Sequence, residues 1–261
     1  MLLPQAHQGS QHHPEGLGIP QPSEEELRTE AARKAAAASI PPRTMEKSVY
    51  WRLNQRSSAN FKPFTASNPP KFLNGNQLRH YQLEGVNWLL SQFYRRRSCI
   101  LADEMGLGKT VQVVATLESI RRADSIRGPF LVVVPLSTIQ HWKREFEQWS
   151  DMNVCTYYDS GGGISGGRAR ETIRTYEWWF DQEHGRRDLP KFNVLLTTYE
   201  TFAADTSATP PVKGNWRSVP GGRLSEIAWA MLVVDEGHRL RSTKSKLLAQ
   251  LLDLETDFRL L

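Results

Sequence analysis

The chain is expected to fold as a three-layer α/β domain with a largely parallel sheet, preceded by a disordered tail. Three observations predict this. Almost wholly apolar runs at 99–102, 129–135, 192–197 and 228–234 alternate with stretches of helical periodicity, the order that builds strand–helix–strand units rather than hairpins. The run Phe-Leu-Val-Val-Val between Pro129 and Pro135 shows no polar alternation, as a strand covered on both faces requires. One strand-to-helix junction, residues 98–110, is a glycine-bearing turn that ends in Lys-Thr, the context of a phosphate-binding loop.

Composition agrees with one core of ordinary size plus a tail, since 39% of the 261 residues are hydrophobic. The 33 basic residues exceed the 28 acidic ones by five, a mild excess that suits a polyanionic partner without specifying one. Cys99 and Cys155 lie in apolar runs and have no metal-ligand spacing around them, so they are expected to be free thiols. No run approaches the roughly 18 apolar residues of a membrane span, and no secretory leader is recognisable at the start.

Residues 1–22 are rich in Gln, His, Pro and Gly and are expected to be disordered, with His7, His12 and His13 simply solvated. Ser23 followed by three glutamates starts an alanine-rich run to Ala38, a possible isolated helix over 23–39 that Pro41-Pro42 stops. Residues 45–70 read as a linker lying on the domain surface. The tail and linker together span 1–69, and the folded domain 70–261.

Within that domain, Leu83, Val86, Leu89, Leu90 and Phe93 recur at helical spacing over 78–94. A strand at 99–102 follows, and then the loop and a helix over 111–120. Gly106 and Gly108 let backbone N–H groups curl round an anion. Lys109 supplies charge for the β- and γ-phosphates. Thr110 places a hydroxyl for Mg²⁺ where the helix dipole is positive. Asp103 stands where the general pattern wants a glycine. Downstream, Ser137 and Thr138 are expected to cap a helix through Trp142 and Phe146, and 153–158 to form a short strand. The glycine-rich stretch 161–167 reads as a surface turn, 171–180 as a helix, and 206–222 as a surface insertion. The apolar run 228–234 ends in Asp235-Glu236-Gly237-His238. In a nucleotide site, Asp235 can hold Mg²⁺ and Glu236 can orient and deprotonate the attacking water. A helix over 245–254 is expected to turn Leu247, Leu248, Leu251 and Leu252 inward, and 258–261 to begin another strand. Gln82 has the amide geometry that reads adenine, and the absence of a guanine-type Asn-Lys-x-Asp signature favours adenine.

Together these stretches resemble the first motor lobe of a SWI/SNF-type chromatin-remodelling ATPase of helicase superfamily two, most similar to the chromodomain-helicase-DNA-binding branch. Leu-Arg-His-Tyr-Gln-Leu-Glu-Gly around Gln82 matches that family's Q motif, 103–110 its form of the phosphate loop, 134–138 motif Ia, 197–200 motif Ib, and 235–238 its Asp-Glu-Ala-His box. Thr172 to Glu177 and Lys191 to Leu196 turn the match towards the chromodomain branch.

The resemblance implies a RecA-like helicase ATP-binding lobe using ATP and Mg²⁺, with Asp103, Glu104, Met105, Gly106, Leu107, Gly108, Lys109, Thr110 and Gln82 around the nucleotide. It implies Lys109, Asp235 and Glu236 in catalysis, Thr110 and Asp235 at the metal, and His238 in coupling. Ser137, Thr138, Thr197 and Thr198 would contact DNA phosphates. A nuclear protein acting on DNA or nucleosomes follows from the same resemblance. Gly237 departs from the usual alanine. The sequence stops before the family's next motif and contains no second lobe, so the chain is expected to be a fragment that hydrolyses ATP little by itself. Two other readings are a non-hydrolysing nucleotide- or DNA-binding fragment and an RNA helicase lobe.

Overall fold

A computed structural model describes residues 61–124, 126–158, 164–179, 190–207, 223–240, 246–256 and 258–261. The expected disordered tail, the helix at 23–39, and most of the 206–222 insertion lie outside the described residues. The elements, in order, are α1 (His80–Tyr94), α2 (Lys109–Asp124), β1 (Phe130–Val134), α3 (Ile139–Trp149), β2 (Val154–Tyr157), α4 (Ile164–Glu177), β3 (Val194–Thr198), α5 (Tyr199–Ser207), β4 (Met231–Val234), α6 (Lys246–Leu252) and β5 (Arg259–Leu260).

The five strands form one parallel sheet in the order β2-β3-β1-β4-β5. β1 is central, and all five of its residues are buried. Side chains alternate across a strand, and the core divides accordingly. Phe130, Val132, Val134, Val194, Leu196, Met231 and Val233 pack on one face with Val86, Leu89, Leu90 and Phe93 of α1, the apolar side of α2, and Trp142 and Phe146 of α3. Leu131, Val133, Leu195, Leu232 and Val234 pack on the other with Tyr199 and Phe202 of α5 and Leu251 of α6. The three-layer α/β architecture is therefore the one the strand runs predict. Residues 61–70 dock on α1, where Phe61 stacks on Tyr94 at 5.1 Å and Asn87 exchanges two hydrogen bonds with the Phe64 backbone.

Several expectations are corrected. The strand expected at 99–102 reduces to one parallel bridge from Cys99 to Leu260, with Leu101 donating to the Leu261 carbonyl at 2.7 Å, because its partner β5 offers only a two-residue ladder. α4 begins at Ile164, inside the glycine-rich stretch read as a turn. The good helix formers from Arg168 to Arg174 offset the cost of Gly166 and Gly167, about 1 kcal/mol each. Ser137 and Thr138 do not cap α3 through a side chain, because a 3₁₀ turn at Leu136–Thr138 runs directly into the helix with Thr138 already in helical backbone conformation. Leu252 points outward, 58% exposed, because the seven-residue α6 packs through Leu247, Leu248 and Leu251.

Candidate nucleotide site

The loop from Asp103 to Gly108 leaves the bridge with β5 and enters α2 at Lys109. Gly108 accepts the first helical hydrogen bond, from Gln112 N at 3.0 Å, and adopts φ +78°, as Gly106 adopts φ +89°. Both values lie in the left-handed region that glycine enters without strain. A Cβ on Gly106 would meet open space, while one on Gly108 would lie 2.5 Å from Gln82 Nε2. Gln82 is buried at the start of α1 rather than solvated. Its Oε1 accepts from Arg79 N at 3.0 Å, and its Nε2 donates to the Leu107 carbonyl at 3.3 Å. The amide thus ties α1 to the loop.

Lys109 Nζ donates to the carbonyls of Asp103 at 2.7 Å and Glu104 at 3.2 Å, which seats the ammonium inside the curl of the loop. Asp103, placed where a glycine was expected, turns its carboxylate inward to accept from Gln112 Nε2 at 2.9 Å. Gln112 is fully buried in the middle of the apolar side of α2. Glu104, Met105 and Leu107 are exposed, Met105 at 90%. Thr110 sits in the first turn of α2, whose leading N–H groups have no intrahelical partner.

Asp235 follows β4. β4 and the Cys99 bridge flank β5, so the strand tips carrying the loop and Asp235 are two strand spacings apart, roughly 10 Å, at the same edge of the sheet. Asp235 Oδ2 accepts from the Trp142 indole at 2.8 Å, and its Oδ1 from Glu236 N at 2.9 Å. Glu236 has φ +55°, a strained value for a residue with a side chain and of the kind that clusters at functional sites. His238 Nδ1 lies 2.9 Å from Glu236 Oε2. Gly237 does not need to be glycine, since its Cβ would meet Leu261 Cδ2 at 3.4 Å without a left-handed backbone.

These residues fit Mg·ATP. The loop presents backbone N–H groups, an ammonium and open space at Gly106. Thr110 and Asp235 offer hard oxygen ligands, and two of the four lone-pair positions of the Asp235 carboxylate are used by the donors named above. Among the described residues, no cluster of three or more His, Cys, Asp and Glu could hold a metal ion.

Four residues were expected to face DNA phosphates, and they divide into two pairs. Ser137 is exposed and Thr138 half-buried at the α3 entry. Thr197 and Thr198 are both buried. The Thr197 hydroxyl donates to the Tyr157 carbonyl at 2.6 Å, and Thr198 Oγ1 donates to Thr201 Oγ1 and accepts from Thr201 N, fastening the start of α5. Their hydroxyls serve the fold, and the turn is left with the N-terminal end of α5 as its anion-attracting feature.

Sequence reasoning passed over Gln112, Trp142 and the phenol of Tyr199. Gln112 had a signal, a polar residue on the apolar stripe of a helix. Trp142 had a weaker one, because a buried indole N–H needs an acceptor that the sequence does not name.

A model of the SNF2-related domain matches residues 81–261, from the residue before Gln82 to the last one. Chromodomain-helicase-DNA-binding protein 8 of Danio rerio is 42% identical over 194 residues, covering 73% of this chain and 7% of that protein. Chromodomain-helicase-DNA-binding protein 9 of Homo sapiens is 43% identical over 208 residues, covering 78% of this chain and 6% of that protein. The chain thus spans less than a tenth of the length of these relatives. The Sulfolobus solfataricus SWI2/SNF2 ATPase core in complex with double-stranded DNA superposes with a TM-score of 0.54 at 22% identity, over 77% of this chain and 33% of that one, a likeness of fold.

Proposed function

The chain belongs to the SNF2-related domain family, and on that premise we propose that it is the ATP-binding lobe of a DNA-dependent ATPase motor that acts on chromatin in the nucleus. The observation that carries the reading is the seat of Lys109 Nζ within the loop carbonyls of Asp103 and Glu104, at the sheet edge where Asp235 and Glu236 also emerge. The loop N–H groups and the start of α2 bind the phosphates, and Lys109 neutralises their charge. Gln82 meets the adenine edge with the remaining capacity of its amide. Glu236, whose backbone N–H donates to Asp235 and whose carboxylate pairs with His238, orients the attacking water and takes its proton. Thr110 and Asp235 would hold Mg²⁺, which would supply Lewis-acid stabilisation of charge at the phosphates. A second motor lobe completes the site in this reading, and His238 couples the nucleotide to it.

DNA is proposed to lie across the carboxyl edge of the neighbouring strands β1 and β3, beyond which α3 and α5 begin on opposite faces of the sheet. Two helix starts and the exposed Ser137 suit phosphates and do not read bases. The support from relatives is that proteins named for DNA binding share about two-fifths of the aligned residues. The test is fluorescence anisotropy with duplex DNAs of unrelated sequence and with single-stranded RNA across a salt series. The reading predicts weak duplex binding that is indifferent to sequence and falls steeply with salt. Preference for one base sequence, or for single-stranded RNA, would overturn it, and the latter outcome would favour an RNA helicase lobe.

A further inference from the structure

Alternation along β4 sends the Asp235 side chain to the face of Met231 and Val233, the face covered by α1, α2 and α3. From that layer, the Trp142 indole N–H reaches Asp235 Oδ2 at 2.8 Å, across 93 residues of sequence. From the opposite layer, the Tyr199 hydroxyl donates to the main-chain carbonyl of Asp235. Trp142 is 2% exposed and Tyr199 4%, so neither ring has room to leave. Asp235 is thus held at its side chain from one side of the sheet and at its backbone from the other.

We propose that Trp142 and Tyr199 are positioning residues for the divalent cation, a two-point clamp that presets the carboxylate of Asp235 before the cation arrives. This rests on the reading that Asp235 holds Mg²⁺. The indole bond is charge-assisted and therefore strong, and it uses one lone pair while leaving the other on Oδ2 for a cation or its water. An unclamped carboxylate at a strand tip would rotate, and fixing it would cost side-chain entropy at each binding event. Trp142 sits on α3 and Tyr199 begins α5, the two helices that start at the proposed DNA edge.

The test uses the whole chain with a non-hydrolysable ATP analogue. Its affinity is measured in EDTA and then along a Mg²⁺ series, for the unaltered chain, Trp142→Phe, Tyr199→Phe and Asp235→Asn. Loss of a partner that orients a metal ligand typically costs 10- to 100-fold in metal affinity. Trp142→Phe and Tyr199→Phe are therefore each expected to raise the half-saturating Mg²⁺ concentration about tenfold and to leave the affinity in EDTA unchanged. The indole N–H resonance of Trp142 should shift when Mg²⁺ is added to the nucleotide complex and stay put when nucleotide is added in EDTA. A shift in Mg²⁺ dependence for Asp235→Asn alone overturns the clamp and leaves the Mg²⁺ reading standing. An unchanged Mg²⁺ dependence in Asp235→Asn overturns the reading and the clamp with it. Equal weakening with and without Mg²⁺ in the Phe variants would show that the rings only pack. Should Trp142→Phe fail to fold, Tyr199→Phe and the indole resonance decide the matter.

Discussion

Replacing Gly85 with alanine tests how α1 and the loop helix are locked together. In an open helix the exchange is worth about 1 kcal/mol in favour of alanine. Here the new Cβ would overlap Gln112 Oε1 and lie 2.9 Å from its Cδ. Gln112 is fully buried and can withdraw only by giving up its bond to the Asp103 carboxylate. A hydrogen bond to a charged acceptor contributes about 1.5–3 kcal/mol, and crowding a packed interior costs about 1–3 kcal/mol more. These terms outweigh the propensity gain, so Gly85→Ala is expected to destabilise by about 2–4 kcal/mol. With Gln112→Ala already in place the obstacle is gone, and the same exchange should stabilise by about 1 kcal/mol. Urea unfolding of the four proteins gives the coupling directly, expected at about 3–5 kcal/mol, at or above the upper end for touching residues. Gly85→Ala raising stability equally in both backgrounds would refute the seating of Gln112 against α1.

Three further outcomes follow from other parts of the fold. Asp205, buried, accepts from Tyr157 Oη and Leu224 N, both at 2.9 Å, and pairs with Arg174. Asp205→Ala removes the carboxylate of that pair and should cost about 3–5 kcal/mol in urea unfolding, and a loss below about 1 kcal/mol would contradict the buried pairing. Burial pushes the Cys155 thiol from 9.0 up to about 12 and Cys99 up to about 11. The native state keeps protons that the unfolded chain releases, so this stability is complete below pH 9 and declines as pH rises towards 11 and 12. The slope is at most about 1.4 kcal/mol per pH unit for Cys155, and a melting series from pH 8 to 10.5 should be flatter for Cys155→Ala than for the unaltered chain. Gly237→Ala should be neutral or stabilise by up to about 1 kcal/mol, read from the urea midpoint. A loss beyond 1 kcal/mol would show that the turn after Asp235 has no room for a Cβ.

What the sequence made legible was local. The five apolar residues of β1, the Lys-Thr junction opening α2, and the acidic pair after β4 each announce themselves within a dozen positions, because strand burial, loop conformation and helix initiation are set by near neighbours. What stayed hidden depends on sheet register. Thr197 and Thr198 carry hydroxyls suited to phosphate contact, but their place at the end of β3 buries both and commits them to Tyr157 and Thr201. The bond from Trp142 to Asp235 exists because β1 sets α3 beside β4, and no pattern within either segment contains the other. The positive φ of Glu236 is similarly invisible, since the residue type argues against it. Gln112 could have been read as an anomaly on an apolar stripe, although its partner Asp103 became clear only with the loop in place.

The loop from Asp103 to Thr110 is proposed to bind Mg·ATP through Lys109. Thermal unfolding of the unaltered chain and of Lys109→Ala, each with and without Mg·ATP at a hundredfold excess over the dissociation constant measured for the unaltered chain, tests it most directly. A ligand bound only to the folded state stabilises it by about 2.7 kcal/mol at that excess. A clear rise in melting temperature is expected for the unaltered chain and none for Lys109→Ala, each measured against the same protein without nucleotide. Equal rises in the two proteins would contradict it.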